Sequence, residues 1–311
     1  DFKRIFIYIV VFLAVASLGF YFLREPLMSL YRSFNIISTS RFAQYHNLWV
    51  WIMHVDTVDR NFGVFWEPGA FQVFLNLALI FVLHNTKLST AIKGILAVVL
   101  SLAVVTTFST TGYIVLALVY ASLLLRNSNR FTTRQFGTIV VGMAILVPAS
   151  IVFIVNNETV SSKFDEEGLS RGSFVDRYNA TLLDVEMMNQ NIFFGVGAGN
   201  YLAARDIQTE ITGLDAITTP NTYSQLGATF GTFALLIYAL IHARFAWSIT
   251  TNVFEFAVIV GIIALLFSTE NFLYHKLAHM LFWYGVLLAP RINAPMRVAM
   301  VKGELHAEGI S

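Results

Sequence analysis

The sequence predicts an all-α protein, a polytopic integral membrane helix bundle of about eight spans with long, partly helical extracytoplasmic loops, and three observations point there. Hydrophobic residues make up 56% of the 311 and charged ones only 13%, about half the charge of an ordinary soluble domain. The apolar residues gather in long runs, and acids and bases sort to opposite ends of those runs. So much apolar surface needs a solvent other than water, and lipid is that solvent. Disorder, collagen and coiled coil are excluded by the same composition.

Crossing about 30 Å of hydrocarbon takes roughly 20 apolar residues, fewer where flanking residues snorkel. The candidate spans are 5–22, 70–83, 91–107, 113–125, 136–155, 223–241, 254–267 and 277–289. Lys3 and Arg4 precede the first run as in a signal peptide. Its apolar stretch is long for that role and the small-residue spacing before Arg24 is poor, so it reads as a retained helix. The chain opens on Asp1 rather than Met, which reads as a trimmed product or a fragment truncated at its N-terminus.

Alternating the spans puts Lys3, Arg4, Lys87, Lys93, Arg126, Arg130, Arg134, Arg244, Arg291, Arg297 and Lys302 on one side. By the positive-inside rule this side is the cytoplasm, and both termini lie there. The other side receives 25–69, a tight turn at 109–112, 156–221 and 269–276. Its acids include Asp56, Asp59, Glu67, Asp165, Glu166, Glu167, Asp176, Asp184, Asp206, Glu210, Asp215 and Glu270. The chain therefore reads as a single membrane domain, 1–311, with a first outer loop at 25–69 and a second at 156–221. Both loops far exceed what joining two helices requires, a sign of function.

The first loop carries Phe34, Phe42, Tyr45, Trp49, Trp51, Phe62, Phe65 and Trp66, suited to the interface or to packing on the bundle. In the second, Phe174, Tyr178, Leu182, Val185 and Met188 recur at helical spacing and predict a helix over 173–188 with those residues on its apolar face. The pattern breaks at Gly195, Gly197 and Gly199. A net charge of +1 and no basic stripe exclude nucleic acid as a partner. With no cysteine, thiolate metal sites, iron–sulfur clusters and cysteine nucleophiles are excluded too.

Beside the second span stands the approach Asp59-Arg60-Asn61-Phe62-Gly63-Val64-Phe65-Trp66-Glu67-Pro68-Gly69. Pro68 suits the first turn of a helix, so Glu67 falls at its N-terminus. There it is either an acid that the helix dipole stabilises or a carboxyl poised for proton transfer. Arg171 and Arg177, six apart, would not share a helix face well, which places Arg171 in the approach and Arg177 on the helix. A guanidinium fork matches phosphate oxygens, yet the neighbouring Asp165, Glu166, Glu167, Asp176 and Asp184 could equally occupy these arginines.

Gly195-Val196-Gly197-Ala198-Gly199 lacks the spacing of a nucleotide loop and reads as a turn. His275 and His279 lack the central Glu and third ligand of a zinc site and read as an interfacial pair. No span has a central ionisable residue that reads as an ion relay, which speaks against a proton-coupled carrier.

Three segments, taken together, resemble the O-antigen polymerase and O-antigen ligase superfamily over about 60–231. They are Arg60-Asn61-Phe62-Gly63-Val64-Phe65-Trp66-Glu67-Pro68-Gly69-Ala70-Phe71; Ser170-Arg171 followed by Asn191-Ile192-Phe193-Phe194-Gly195-Val196-Gly197-Ala198-Gly199-Asn200-Tyr201; and Pro220-Asn221-Thr222-Tyr223 with Gly227 and Gly231. The resemblance implies a bacterial inner-membrane glycosyltransferase, independent of metal and cofactor, whose site faces the periplasm or exterior. It would polymerise undecaprenyl-diphosphate-linked repeat units of O-antigen, capsule or exopolysaccharide, with membrane lipid around it and a chain-length regulator as a further partner.

The resemblance carries Glu67, Arg171 and Arg177 over as catalytic residues and Arg60 and Asn221 as substrate-binding ones. Trp66 is placed to stack on a sugar face or to anchor the loop at the interface. Ligases of this superfamily typically have a histidine where Asn221 stands, which favours a polymerase. Some relatives carry an arginine in the short turn where this chain has Ser109-Thr110-Thr111-Gly112-Tyr113. The other readings are a ligase that moves glycan onto lipid A core, a carrier or flippase for a lipid-linked or anionic solute, and a scaffold for polysaccharide export.

Overall fold

The computed structural model describes residues 2–33, 36–38, 44–47, 51–54, 59–84, 88–126, 169–214, 216, 221–273, 275–276 and 279. Its helices are α1 (Phe2–Phe22), α2 (Arg24–Ser33), α3 (Pro68–Leu83), α4 (Thr90–Thr106), α5 (Thr110–Arg126), α6 (Leu169–Gln190), α7 (Tyr201–Thr212), α8 (Thr222–Ile249) and α9 (Val253–Thr269). The helical class read from the sequence therefore holds. Each predicted span within the described residues falls on one of these helices, while 136–155 and 277–289 lie outside them.

Eight spans are not borne out. Among the described residues only Lys3–Phe22 and Thr222–Ile249 are long and apolar enough to cross a membrane by themselves. Pro68–Leu83, Thr90–Thr106, Thr110–Leu124 and Val253–Thr269 are shorter apolar helices, and at 1.5 Å per residue they fall short of the roughly 30 Å of hydrocarbon.

Helix α3 is the centre. Every residue from Pro68 to Leu83 is buried, as a helix that is apolar all round must be. α1, α4 and α5 pack around it, and α9 packs on α5 and α8. α1 shows how sides are assigned: Phe6, Ile7, Val10 and Ala14 face the core, whereas Ile5, Tyr8, Ile9, Phe12 and Val15 face outward. That outward apolar stripe is what lipid would cover.

The two ends of the bundle carry different polar ties. At one end, Glu255 in the first turn of α9 lies 2.8 Å from His84 Nε2 and 3.4 Å from Arg126 Nη1. Arg126 also donates to the Ile249 carbonyl at 3.2 Å. A buried carboxylate survives there because every neighbour is a donor. The ends of α3, α5 and α8 and the start of α9 are thus tied together, which are the ends the alternation puts on one side.

The other end is organised by Asn61, which is fully buried. Its side-chain amide donates to Ser17 Oγ at 3.1 Å and Thr106 Oγ1 at 3.0 Å, and its Oδ1 accepts from the Gly63 amide at 3.0 Å. One short loop is thereby fastened to α1 and α4. Asn61→Ala should cost about 2 kcal/mol of stability, the scale of buried polar groups left unpaired, read as a lowered thermal midpoint in detergent with the helical content unchanged.

Three sequence expectations are corrected. The first outer loop is not only aromatic packing: it forms α2 and a three-stranded antiparallel ribbon of β1 (Ile36–Ser38), β2 (Gln44–Asn47) and β3 (Ile52–His54). Trp51, beside β3, is buried and stacks on Phe20 with ring centroids 5.9 Å apart. Secondly, the helix of the second loop starts at Leu169, so Arg171 sits in its first turn and not in an approach segment.

Thirdly, α6 does not bury the face its apolar spacing suggested. Tyr178 is 57% exposed and Val185 is exposed, whereas Ala180, Leu183, Asp184 and Met187 are buried. The reason is polar: Asp184 accepts from Tyr201 Oη and from Ser224 Oγ, both at 2.6 Å. This aligns α6 with α7 and α8 through a carboxylate that a hydrophobic pattern cannot register. Burial raises the Asp184 carboxyl above its usual range, and those two hydrogen bonds work against the rise.

Helix α8 is broken. Gly231 has φ 78° and ψ −178° inside it, a conformation that only glycine adopts readily. The break frees carbonyls, and the glycine loop after α6 fills them: the Val196 amide donates to Ala228 O and the Gly197 amide to Thr229 O, both at 2.9 Å. In return the Thr232 amide donates to Ile192 O at 2.7 Å. The 195–199 segment is thus a turn laid on a broken helix, in keeping with its reading as a turn.

Candidate active site

The charged groups expected on the outer side meet at the Asn61 end of the bundle. Pro68 opens α3 as the sequence suggests, and Glu67 is its N-cap residue in extended conformation with no side-chain capping bond. The carboxylate turns elsewhere. Trp66 Nε1 donates to Glu67 Oε1 at 3.0 Å, and Arg177 Nη2 lies 3.6 Å from Glu67 Oε2. A cap would have spent this group on backbone amides; here it remains at the helix mouth with a cation beside it.

Arg177 reaches in from α6. Its Nη1 donates to the Thr269 carbonyl, the last residue of α9, at 2.8 Å and lies 3.9 Å from Glu270 Oε1. It therefore pairs with acids of distant chain segments. Arg60 completes the group by charge: it feels Glu67, Glu270 and Arg177, while its Nε and Nη2 donate to the Thr107 and Phe108 carbonyls at 3.1 and 3.3 Å. Those carbonyls sit at the negative end of α4, where a cation is favoured. Burial lowers the Arg60 pKa, and Glu67 and Glu270 push it back up.

Glu270, the residue after α9, is the member that site reasoning from sequence missed. Its sequence signal was present, an acid following an apolar run in Phe267-Ser268-Thr269-Glu270-Asn271-Phe272, but nothing in the chain links it to Glu67. The residue is 3% exposed. Burial first, and the Glu67 charge second, raise its carboxyl well above the usual range, with Arg177 and Arg60 opposing.

Asn221 is the N-cap of α8: its Oδ1 accepts from the Tyr223 and Ser224 amides at 3.0 and 3.2 Å. Its neighbour Thr222 donates to the Glu270 carbonyl at 2.6 Å, so Asn221 borders the cluster while its side-chain oxygen serves the helix. Trp66 is 40% exposed and its ring lies 6.3 Å from Phe272 and 5.8 Å from His275. It stands beside Glu67 with a face open to the surroundings. The Arg171 side chain is outside what the structure describes.

Among the described residues no group of three or more His, Asp or Glu is placed to hold a metal ion. His279 uses its ring nitrogens on the Leu273 carbonyl, at 2.5 Å, and near Tyr238 Oη, at 3.4 Å.

The described residues thus form an apolar helical bundle, two of whose helices are long and apolar enough to cross a membrane, with two acids and two arginines gathered at one end where several helices begin or end. Residues 95–239 match the family model described as O-antigen ligase, which supports assignment to the O-antigen ligase and polymerase superfamily. The match takes in the second and third resembling segments and begins beyond the first. No curated protein matches the chain. The family match, together with the apolar helices, supports an enzyme role at a membrane.

Proposed function

We propose that the protein polymerises oligosaccharide repeat units carried on undecaprenyl diphosphate, at the outer face of the bacterial inner membrane. The observation that carries this reading is the convergence of Glu67, Arg177, Arg60 and Glu270 from separate segments at one end of the bundle. As the growing chain leaves its lipid, negative charge develops on the diphosphate oxygen, and fixed guanidinium groups stabilise it. The attacking sugar hydroxyl gives its proton to Glu67 while its oxygen bonds to the anomeric carbon. The bond from that carbon to the diphosphate breaks, and its electron pair leaves with the diphosphate.

Arg60 supports the assignment in a second way. The turn where some relatives place an arginine has none here, and Arg60 lays its guanidinium on the Thr107 and Phe108 carbonyls immediately ahead of that turn. A ligase is the second reading, favoured by the description of the matching family model. Asn221 in place of a ligase histidine keeps the polymerase ahead. On either reading Arg171, in the first turn of α6, is a further candidate phosphate ligand.

The test is purified protein in vesicles supplied with lipid-linked repeat units. Polymer ladders are expected from the unaltered chain. Arg177→Lys should slow elongation about a hundredfold, the scale for losing one fixed electrostatic donor, because an ammonium cannot copy the fork. Transfer of preformed polymer to lipid A core without elongation would show a ligase. Movement of lipid-linked units across the membrane with no new glycosidic bond would show a carrier.

A further inference from the structure

Glu270 turns its side chain under the start of α3, against the Cα of Gly69. Even a methyl group at position 69 would overlap its carboxyl. The charged groups facing it are Glu67 from the N-cap of α3, Arg177 from α6 and Arg60 from the loop before α3. From α8, Thr222 meets only its backbone carbonyl. His275 stands farther off, against the Trp66 and Phe272 rings.

The two oxygens of Glu270 are not alike. Arg177 approaches Oε1 at 3.9 Å, whereas Oε2 is buried and, among the described residues, no protein donor reaches it. Arg177 spans the two acids, 3.6 Å from Glu67 Oε2 and 3.9 Å from Glu270 Oε1, which brings the carboxyls together on one guanidinium. As a carboxylate, Glu270 would leave a buried anionic oxygen unsatisfied and set two like charges on one guanidinium, both costly. A proton on Glu270 removes both penalties, because the oxygen becomes a donor and Glu67 its acceptor.

We propose that Glu270 is a positioning residue: as a neutral carboxylic acid it donates a hydrogen bond to the Glu67 carboxylate and, with Arg177, holds that carboxylate toward the acceptor hydroxyl. The inference rests on Glu67 as the base. Glu270 keeps its own proton through the reaction, and the proton taken from the acceptor resides on Glu67. Close contact at Gly69 is part of the device, since only a residue without a side chain lets the acid come this near.

Glu270→Gln tests it, because a carboxamide donates from the same place and cannot ionise. In vesicles supplied with lipid-linked repeat units, E270Q should elongate within a few-fold of the unaltered chain at neutral pH. Glu270→Ala should lose about tenfold or more, as expected for a hydrogen bond to a charged group. As pH rises through the raised pKa of Glu270, the unaltered chain should lose activity, and E270Q should not show that alkaline fall.

A readout independent of turnover is the infrared band of a protonated carboxylic acid at neutral pH. Recorded in a D184N background, which removes the other buried acid with a raised pKa, it should be present in the otherwise unaltered chain and in E67Q and missing in E270Q. Survival of the band in E270Q, an unchanged alkaline fall, or collapse of E270Q elongation in a normally folded protein would each overturn the role. E67Q separates the two claims. Normal elongation by E67Q removes the base itself, whereas an inactive E67Q beside an E270Q that keeps the alkaline fall removes only the part given to Glu270.

Discussion

Glu67→Gln should reduce chain elongation by about 10² to 10⁴-fold, the span expected on losing a general base, while leaving the protein folded and its lipid-linked single repeat units intact. Glutamine keeps the length of the side chain and can still accept from Trp66 Nε1, which lies 3.0 Å from Glu67 Oε1. What disappears is the carboxylate that faces Arg177 and takes the acceptor proton. A helix-start role for Glu67 makes the opposite forecast. Removing an N-cap costs about 1 kcal/mol of stability and no chemistry, yet the Glu67 side chain makes no capping bond at all. Gel ladders of the polymer, run beside a thermal unfolding curve of the same preparation, tell the outcomes apart: short product with an unmoved midpoint supports the base, and full-length product with a lowered midpoint refutes it.

The second large effect belongs to the broken helix. Gly231→Ala should destabilise the protein by on the order of 3 kcal/mol, combining strained backbone with overpacking. At φ 78° and ψ −178° a side chain is strained before it meets any neighbour, and a Cβ there would overlap the Phe193 carbonyl and the Phe194 amide. These obstacles are backbone, so no rotamer change relieves them. Gly195, with φ 64°, presses in the same manner on the carbonyls of α8, so one crossing is closed from both sides. Gly261→Ala is the control: nothing lies within 4 Å of a Cβ there, and its midpoint should stay put or rise slightly. Equal midpoints for the two variants would mean that the loop and the helix are not locked together.

Most of the helices were legible in the sequence because a long apolar run leaves little choice of conformation in a low-dielectric solvent. The start of α3 was legible in Pro68, and the capacity of α8 to break in Gly231 could be seen only as one glycine among several. The buried face of α6 was not legible. It is decided by Asp184 meeting Tyr201 and Ser224, and a hydrogen bond between segments 17 and 40 residues apart leaves no period along the chain. The ribbon of the first outer loop was hidden for a related reason, as its strands are three or four residues long, too few for an alternation to declare itself.

The candidate site divides along the same line. Glu67 and Arg177 were visible as residue types suited to proton transfer and to phosphate, and the structure pairs them at 3.6 Å. The Arg60 contacts with the carbonyls of Thr107 and Phe108 span 47 and 48 positions, so the sequence showed the guanidinium without its seat. Glu270 was counted only as one more acid on the acidic side. Its importance comes from where α9 ends relative to α3, a fact of packing. Asn221, expected to touch substrate, has its side-chain oxygen committed to the α8 amides, because an asparagine ahead of a helix satisfies orphan amides that nothing else there can reach.

Because α3 is enclosed along its whole length, its tolerance of mutation should differ in kind from that of α1. On the outward stripe of α1, exchanging one large aliphatic residue for another alters only what the bilayer touches, and fluid acyl chains adjust at little cost. Along 68–83 the same exchange is judged by neighbouring side chains that cannot flow, so volume and not greasiness is the selected property. A scan that swaps leucine, isoleucine, valine and phenylalanine among themselves should therefore be nearly silent on one helix and punishing on the other, although the two are equally apolar to the eye.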